Sequence, residues 1–198
     1  IRKAYDLAKQ LHGNGSLSHQ MLVAHQYLGT AHATLGEYET AKGYAIQHLE
    51  LCEQCYGPKH RVVAIALNNL GRRYIQLNQH HQASLHLNRA INMFDELGFG
   101  VTRSKANSLH NLSDCYDGLG LYEKALQTIN ESFMIYKRIN PSHRSIPEVV
   151  ADYCSISKRM LLRNIVTLDG CAGVSSVLSN LWKVATIYIT TIQPVKTR

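Results

Sequence analysis

Apolar residues recur at helical spacing along most of this chain. In its central part, the side chains that lie three or four residues apart, and therefore share one face of a helix, are Val63, Leu67, Leu70, Tyr74 and Leu77. A second stripe follows the polar turn at residues 78–79 and consists of Ala83, Leu87, Ala90, Ile91 and Phe94. Two glycines within residues 97–100 suit the C-terminus of a helix. The pattern predicts two helices joined as a hairpin.

The hairpin pattern repeats with a period of 42 residues. Three leucines are spaced by this period, and so are three alanines: Leu28, Leu70 and Leu112, and Ala41, Ala83 and Ala125. The turn sequence at residues 35–38 has counterparts in register at residues 77–80 and 119–122. A fixed period over three units predicts an all-α fold of stacked antiparallel helical hairpins, an α-solenoid.

Small residues occupy two positions of every unit. The first helix carries Gly29, Gly71 or Ser113, and the second carries one of the three alanines at the 42-residue spacing. Small side chains allow two helices to approach closely, so we expect these positions to lie where hairpins stack. Replacing Ala83 with Leu should overpack this contact and cost about 1–3 kcal/mol.

The order of residues in each unit, Leu-Gly, then Tyr, then Leu-Gly-x-Tyr, then Ala, resembles the tetratricopeptide repeat signature over roughly residues 19–140. The first unit matches at Leu28, Gly29, Gly36, Tyr38 and Ala41, with His32 in place of the first Tyr. The second matches at Leu70, Gly71, Tyr74 and Ala83, and the third at Leu112, Tyr116, Gly120, Tyr122 and Ala125. The resemblance implies a right-handed solenoid whose first helices line a concave groove.

The repeats are longer than the usual unit of this family, which has about 34 residues. Eight extra residues per unit correspond to roughly one additional turn in each helix. The junction Tyr56-Gly57-Pro58-Lys59-His60, with the helix start after it, resembles the junctions of kinesin light chain-like repeats. The third unit departs from that pattern, because residues 98–100 read Gly-Phe-Gly.

The period divides the chain into six segments. Residues 1–18 are the second helix of a truncated repeat, which ends near the glycines of residues 13–15. Repeats 1 to 3 follow at residues 19–60, 61–102 and 103–143. The first helix of a degenerate fourth repeat at residues 144–160 and a tail at residues 161–198 complete the chain. For the tail, a divergent capping helix is preferred to a membrane-associated segment at residues 174–192 or to aberrant sequence, because a solenoid end must cover its apolar face.

Composition narrows the class of protein. Of 198 residues, 45% are hydrophobic and 18% charged, which is typical of a folded domain rather than a disordered chain. The net charge of +7 includes no dense basic tract, so binding to nucleic acid is disfavoured. Five cysteines without a disulfide-like framework favour a reducing compartment and hence a cytoplasmic location.

No constellation in the sequence predicts catalysis, a cofactor or a metal. Phosphate-binding, nucleophile-elbow and zinc-protease motifs are missing from the sequence. Cys52 and Cys55 form a single Cys-x-x-Cys pair inside a predicted helix, which cannot fill a tetrahedral site. His25 and His32 share a helix face but fall at repeat positions that hold Leu or Tyr in other units, so we expect packing roles.

The resemblance implies which residues line the groove. They are Gln26, Tyr27 and Thr30 in the first unit, Asn68, Asn69 and Arg72 in the second, and His110, Asn111 and Asp114 in the third. Asparagines such as Asn69 and Asn111 bond the backbone of an extended peptide in related repeats, although pairing with a neighbouring helix is an equal alternative. Arg72 and Arg73 add positive charge and favour a partner with acidic residues, with a solvated helix face as the alternative for Arg73.

These features together predict a scaffold or adaptor without enzymatic activity, which binds a protein or peptide in its groove. The alternative is a regulatory or self-association region of a larger enzyme or signalling protein. An RNA-binding array would need a side-chain code at equivalent positions, and Thr30, Arg72 and Asp114 form no such code. The sequence leaves the partner and the oligomeric state open.

Overall fold

The computed structural model describes residues 13–167, with side chains from residue 20 to residue 163. These residues form helices and turns only. The helices are α1 (Gly13–Thr34), α2 (Tyr38–Tyr56), α3 (Arg61–Gln76), α4 (His80–Glu96), α5 (Arg103–Gly118), α6 (Tyr122–Ile139) and α7 (Ile146–Thr167). The all-α repeat class predicted from the sequence is therefore confirmed.

The chain forms two compact units, Ile1–Gly100 and Val101–Arg198. In the first unit, α1 packs on α2, α2 on α3, and α3 on α4. In the second unit, α5 packs on α6, and α6 on α7. Within each unit, each helix thus packs against its neighbour in the sequence, as expected for consecutive hairpins.

The turn inside each hairpin has the same backbone geometry. Gly36, Asn78 and Gly120, which are 42 residues apart, have φ values of +80°, +56° and +72°. In each turn, the N–H of the following residue donates to a carbonyl oxygen five residues earlier, as from Gln79 to Tyr74 at 2.9 Å. Glycine and asparagine reach left-handed φ at the lowest cost, which explains why these residue types recur here.

Polar side chains begin the first helices of two repeats. The ring nitrogen Nδ1 of His60 accepts a hydrogen bond from the N–H of Val62 at 3.2 Å, at the start of α3. The hydroxyl oxygen of Thr102 accepts one from the N–H of Lys105 at 3.3 Å, at the start of α5. Both side chains satisfy an N–H group that has no partner within the helix.

The core of the first unit lies along the apolar stripes of α2, α3 and α4. Its centre consists of fully buried side chains: Cys52, Val63, Leu67 and Phe94. A pair of stacked rings joins the two helices of each hairpin in this unit. His32 stacks on Tyr44 with ring centroids 5.3 Å apart, and Tyr74 stacks on His86 with ring centroids 5.2 Å apart. These pairs occupy equivalent repeat positions with histidine and tyrosine exchanged.

The core of the second unit follows the same pattern. Its buried residues include Ala106, Leu109, Ile129, Tyr136, Val149 and Ile156. The buried hydroxyl of Ser132 in α6 donates to the carbonyl oxygen of Ala106 in α5 at 2.8 Å. A polar contact therefore reinforces apolar packing between these two helices.

The small positions lie at close helix contacts, as expected, but at Gly29 and Gly71 the contact is between the two helices of one hairpin and not between stacked hairpins. A Cβ atom added at Gly71 would lie 2.7 Å from Cγ of Leu87, and one added at Gly29 would lie 3.3 Å from Cβ of Tyr44. Ala41, Ala83 and Ala125 are all fully buried. The helices approach so closely at Gly71 that a methyl group would not fit without displacing Leu87.

The ends differ in detail from the predicted segments. Helix α1 already includes residues 13–15, where the sequence predicted the end of a preceding helix, and it runs through the predicted boundary at residues 18–19. Helix α7 continues past Met160 to Thr167. Helices α3 and α5 begin at the first residues of the predicted repeats 2 and 3, but the division into repeats remains a prediction. Residues 1–12 and 168–198 lie outside the described residues.

Candidate functional site

Six of the nine predicted groove residues belong to the first unit, and we call them surface A: Gln26, Tyr27, Thr30, Asn68, Asn69 and Arg72. On α1, Tyr27 is 72% exposed, and Gln26 and Thr30 are exposed as well. The hydroxyl of Thr30 donates to the carbonyl oxygen of Gln26 at 2.9 Å. The face of α1 opposite the core therefore presents an aromatic ring beside polar groups.

The α3 part of surface A is less exposed. Asn68 and Asn69 are half-buried, and Arg72 is exposed. Asn68 has an interaction partner within the protein. The neighbouring Arg73 is buried, and its Nη1 donates to Oε1 of Gln76 at 2.8 Å, so it is not the solvated residue that its sequence position suggested. Arg72 is thus the arginine of this pair that is available to a partner.

The other three predicted residues lie on α5 of the second unit, and we call them surface B: His110, Asn111 and Asp114. All three are half-buried. Asn111 already has an interaction partner within the protein, which agrees with the alternative of pairing between helices. His110 and Asp114 are one helical turn apart, so that their side chains lie on the same face of α5.

The structure brings a residue of α7 into contact with surface B. Nε2 of His110 lies 2.7 Å from Oδ2 of Asp152, at hydrogen-bond distance. One donor atom from each of His110, Asp114 and Asp152 lies within 4.8 Å of the other two. This His–Asp–Asp cluster is the one group of three or more such side chains found close enough to share a metal ion among the described residues.

The electrostatics of the cluster follow from burial and from its excess of carboxylates. Burial raises the pKa of Asp114 to about 6, although the nearby His110 opposes this shift. Burial by itself lowers the pKa of His110, but the hydrogen bond with Asp152 and the charge of Asp114 outweigh it, so the net pKa is raised. A protonated His110 is therefore stabilised between two carboxylates.

Sequence reasoning missed Asp152, although a signal for it existed. Asp152 lies 42 residues after His110 and therefore occupies the same repeat position as Gln26, Asn68 and His110. The groove positions were assigned to three units, because the fourth unit loses the repeat pattern after its first helix. Extending the period by one step would have placed Asp152 beside surface B.

The other candidate side chains take part in packing. His25 lies edge-on to Tyr44, and its Nδ1 is 2.8 Å from the carbonyl oxygen of Met21. Cys52 is buried, which raises the pKa of its thiol to about 11, whereas Cys55 is exposed. The two thiols therefore have different environments, and burial keeps Cys52 protonated.

No helix within residues 13–167 combines the length and the hydropathy that a membrane span requires. The apolar stretch at residues 174–192, which the sequence raised as a candidate span, lies outside the described residues.

Comparison with protein families gives two matches. Sequence models described as tetratricopeptide repeat match residues 20–96 and residues 106–138. Together these matches cover more than half of the chain. Comparison with curated protein sequences finds no match.

Solved structures share the fold. A putative kinesin light chain with nearly identical TPR-like repeats from Podosopora anserina is 15% identical, with a TM-score of 0.58, and the match covers 87% of this chain and 97% of that one. A single-residue variant of that protein gives the same values. BtubC (BKLC) from P. vanneervenii is 14% identical, with a TM-score of 0.64, over 96% of this chain and 82% of that one. The resemblance to kinesin light chain-like repeats is thereby confirmed at the level of the fold.

Proposed function

Because the chain belongs to the tetratricopeptide repeat family, we propose that it is a non-catalytic scaffold that binds a peptide or helix of another protein on surfaces A and B. Tetratricopeptide repeats generally mediate protein–protein interaction. The observation that carries the proposal is that the side chain of Tyr27, on helix α1, is 72% exposed. Tyrosine supplies a large contact area and a hydroxyl group, and it is enriched at binding hot spots.

Surface A favours an acidic residue in the partner. Arg72 exposes its guanidinium group on α3, and Asn69 one turn earlier offers an amide that can both donate to and accept from a peptide backbone. An arginine binds a carboxylate through two parallel hydrogen bonds. Surface B carries Asp114 beside Asp152, so we expect the acidic residue of the partner to contact surface A instead.

The proposal can be tested by screening an array of acidic peptides with the whole chain and measuring the affinity of the binders by fluorescence anisotropy. We expect Tyr27→Ala and Arg72→Ala to weaken binding about 5- to 30-fold, as for hot-spot residues. Asn69→Ala and Asn111→Ala test the proposed backbone contacts. A smaller loss is expected for Asn111→Ala, since this residue has a partner within the protein.

Leu85→Ala provides a matched control. Leu85 is 59% exposed but lies on the second helix α4, outside both surfaces. Its removal should leave the affinity unchanged. Equal losses for Leu85→Ala and Tyr27→Ala, or unchanged affinity in all surface A variants, would contradict the proposal.

A specific observation favours self-association as a second candidate function. A cavity of about 420 Å³ opens on the surface of the second unit and is lined by Val101, Met134 and Ile135 together with three charged side chains. Val101 and Met134 are 43% and 56% exposed. Sedimentation of the wild-type chain and of Met134→Lys over a range of concentrations tests this function. A concentration-dependent dimer that Met134→Lys abolishes would support it.

We also propose a cytoplasmic location. The four cysteines among the described residues, Cys52, Cys55, Cys115 and Cys154, are free thiols. Free thiols persist in a reducing compartment. Imaging of the tagged protein in cells checks the location.

A further inference from the structure

The His–Asp–Asp cluster of α5 and α7 has a chemistry that peptide binding does not explain. His110 and Asp114 are held one turn apart on a single helix, and Asp152 approaches them from another helix. All three side chains are half-buried, so the cluster is partly shielded while one of its faces stays open to solvent. The cluster thus combines two residues of one helix with a third residue on a separate helix.

The donor set suits divalent transition-metal ions, zinc among them. One imidazole nitrogen and two carboxylate oxygens are donors that zinc accepts, and catalytic zinc sites commonly use three protein ligands with a fourth position open. A tetrahedral zinc ion keeps its donors about 2.0–2.2 Å away and hence roughly 3.4 Å from one another. The three donor atoms already lie within 4.8 Å, so rotation of the aspartate side chains is enough to close the set.

The surrounding charges also favour a cation. Asp117 and Glu148 add negative charge near Asp114. Arg159 pairs with Asp117, with Nη2 2.5 Å from Oδ2, and its Nε also donates to Asp117 at 2.9 Å. The carboxylates of Asp114 and Asp152 therefore share His110 as the basic group between them, and a divalent ion would compensate both.

We propose that His110, Asp114 and Asp152 form a binding site for a divalent transition-metal ion of the zinc class. On binding, Nε2 of His110 releases its proton to solvent and coordinates the ion, and each aspartate supplies one oxygen. The ion then links α5 to α7. The site shares His110 and Asp114 with surface B, but its test does not depend on peptide binding, because metal affinity is measured without any peptide.

The test is calorimetric titration of the full, metal-free chain with Zn²⁺. We expect a single saturable site, with affinity reduced at least tenfold in Asp114→Asn and in Asp152→Asn. Zn²⁺ should also raise the melting temperature of the wild-type chain but not that of Asp152→Asn, because the ion binds the folded state and joins two helices. Circular dichroism of the variants verifies that they fold.

Glu148→Gln is the matched control. It removes one exposed negative charge near the cluster without removing a donor, so this variant should retain the site. Equal weakening in Glu148→Gln and Asp152→Asn would show that only the general negative charge matters and would overturn the proposal. Zn²⁺ binding that persists in Asp114→Asn and Asp152→Asn, at other histidines of the chain, would overturn it as well.

Discussion

The hairpin of α3 and α4 and the hairpin of α5 and α6 share one framework but solve the same close contact differently. In the first, Gly71 faces Leu87, and a Cβ at Gly71 would lie 2.7 Å from Cγ of Leu87. In the second, the equivalent positions hold Ser113 and Ile129, and both are buried. The hydroxyl of Ser113 donates to the carbonyl oxygen of His110 at 2.7 Å.

The difference teaches that the tolerated size at this repeat position depends on the pair and not on the repeat alone. Position 48 of the first unit and its equivalents give a second example, since they hold His48, Ala90 and Ser132, all buried. A side chain of any of these types fits, provided that the facing helix leaves the corresponding room or a hydrogen-bond partner.

The largest effect is expected at the close contact between Gly71 and Leu87. Gly71→Ser places the residue of the second hairpin into the first, where the fully buried side chain of Leu87 must shift within a packed core. We expect the free energy of unfolding to fall by about 1–3 kcal/mol, measured by urea denaturation. Gly43→Ser is the control, because nothing lies within 4 Å of a Cβ at that helical position.

A double variant separates the causes. Gly71→Ser combined with Leu87→Ile reproduces the Ser113 and Ile129 pair and should recover part of the lost stability. If the single variant Gly71→Ser unfolds at the same urea concentration as the wild type, the close contact is not as tight as the structure indicates.

A smaller effect is expected at Ser132, which occupies the repeat position of His48 and Ala90. Ser132→Ala removes the buried hydrogen bond to the carbonyl oxygen of Ala106 and converts the position to the alanine found at Ala90. The free energy of unfolding should fall by about 0.5–1.5 kcal/mol. Ser142→Ala, at an exposed position, should change it by less. Equal losses in both variants would argue against a contribution from the buried bond.

An exposed glycine should give a gain in stability. Gly43 is an exposed residue inside α2. A Cβ atom added there would have no atom of another helix within 4 Å. Gly43→Ala should raise the free energy of unfolding by about 0.5–1 kcal/mol, because alanine loses less backbone entropy in a helix. Thermal denaturation followed by circular dichroism measures the change. A decrease would show that the side of α2 at Gly43 is occupied.

The smallest effect concerns the pH dependence of stability. It arises from His48, which occupies the repeat position of Ala90 and Ser132. Burial lowers the pKa of His48 below its ordinary value of 6.5. Below pH 6.5 the unfolded chain binds a proton at His48 more readily than the folded chain does, so stability falls as the pH is lowered, until the lowered pKa is passed. His48→Ala should therefore reduce the pH dependence of the urea midpoint. The same dependence of the urea midpoint on pH in the wild type and in His48→Ala would contradict this prediction.

Much of the fold could be predicted from the sequence because the 42-residue period is written in framework residues. The glycines and asparagine of the hairpin turns, the small residues and the apolar stripes each impose a local or pairwise constraint that recurs in every unit. The ends were predicted less well. Helix α1 includes residues 13–15, where glycines had suggested the end of a helix, and α7 extends past Met160 to Thr167.

The candidate site could be predicted only in part. The exposed faces of α1 and α3 hold Tyr27 and Arg72, which the resemblance assigned to the groove, yet the adjacent Arg73 is buried. Asp152 was missed because the groove positions were followed over three units only, although the 42-residue period places it at the position of His110. The distance between His110 and Asp152 could not be predicted, since it depends on how α5 and α7 pack.

The sequence by itself determined the helices, their pairing into hairpins and the family, because periodic apolar and small residues satisfy the same packing requirement in each unit. Only the tertiary structure decided that Gly71 has no room for a methyl group, whereas Ser113 is accommodated. It also brought His110, Asp114 and Asp152 together. The physical reason is that spacing specifies a helix face, while distances between faces arise from the volumes of all the side chains packed between them.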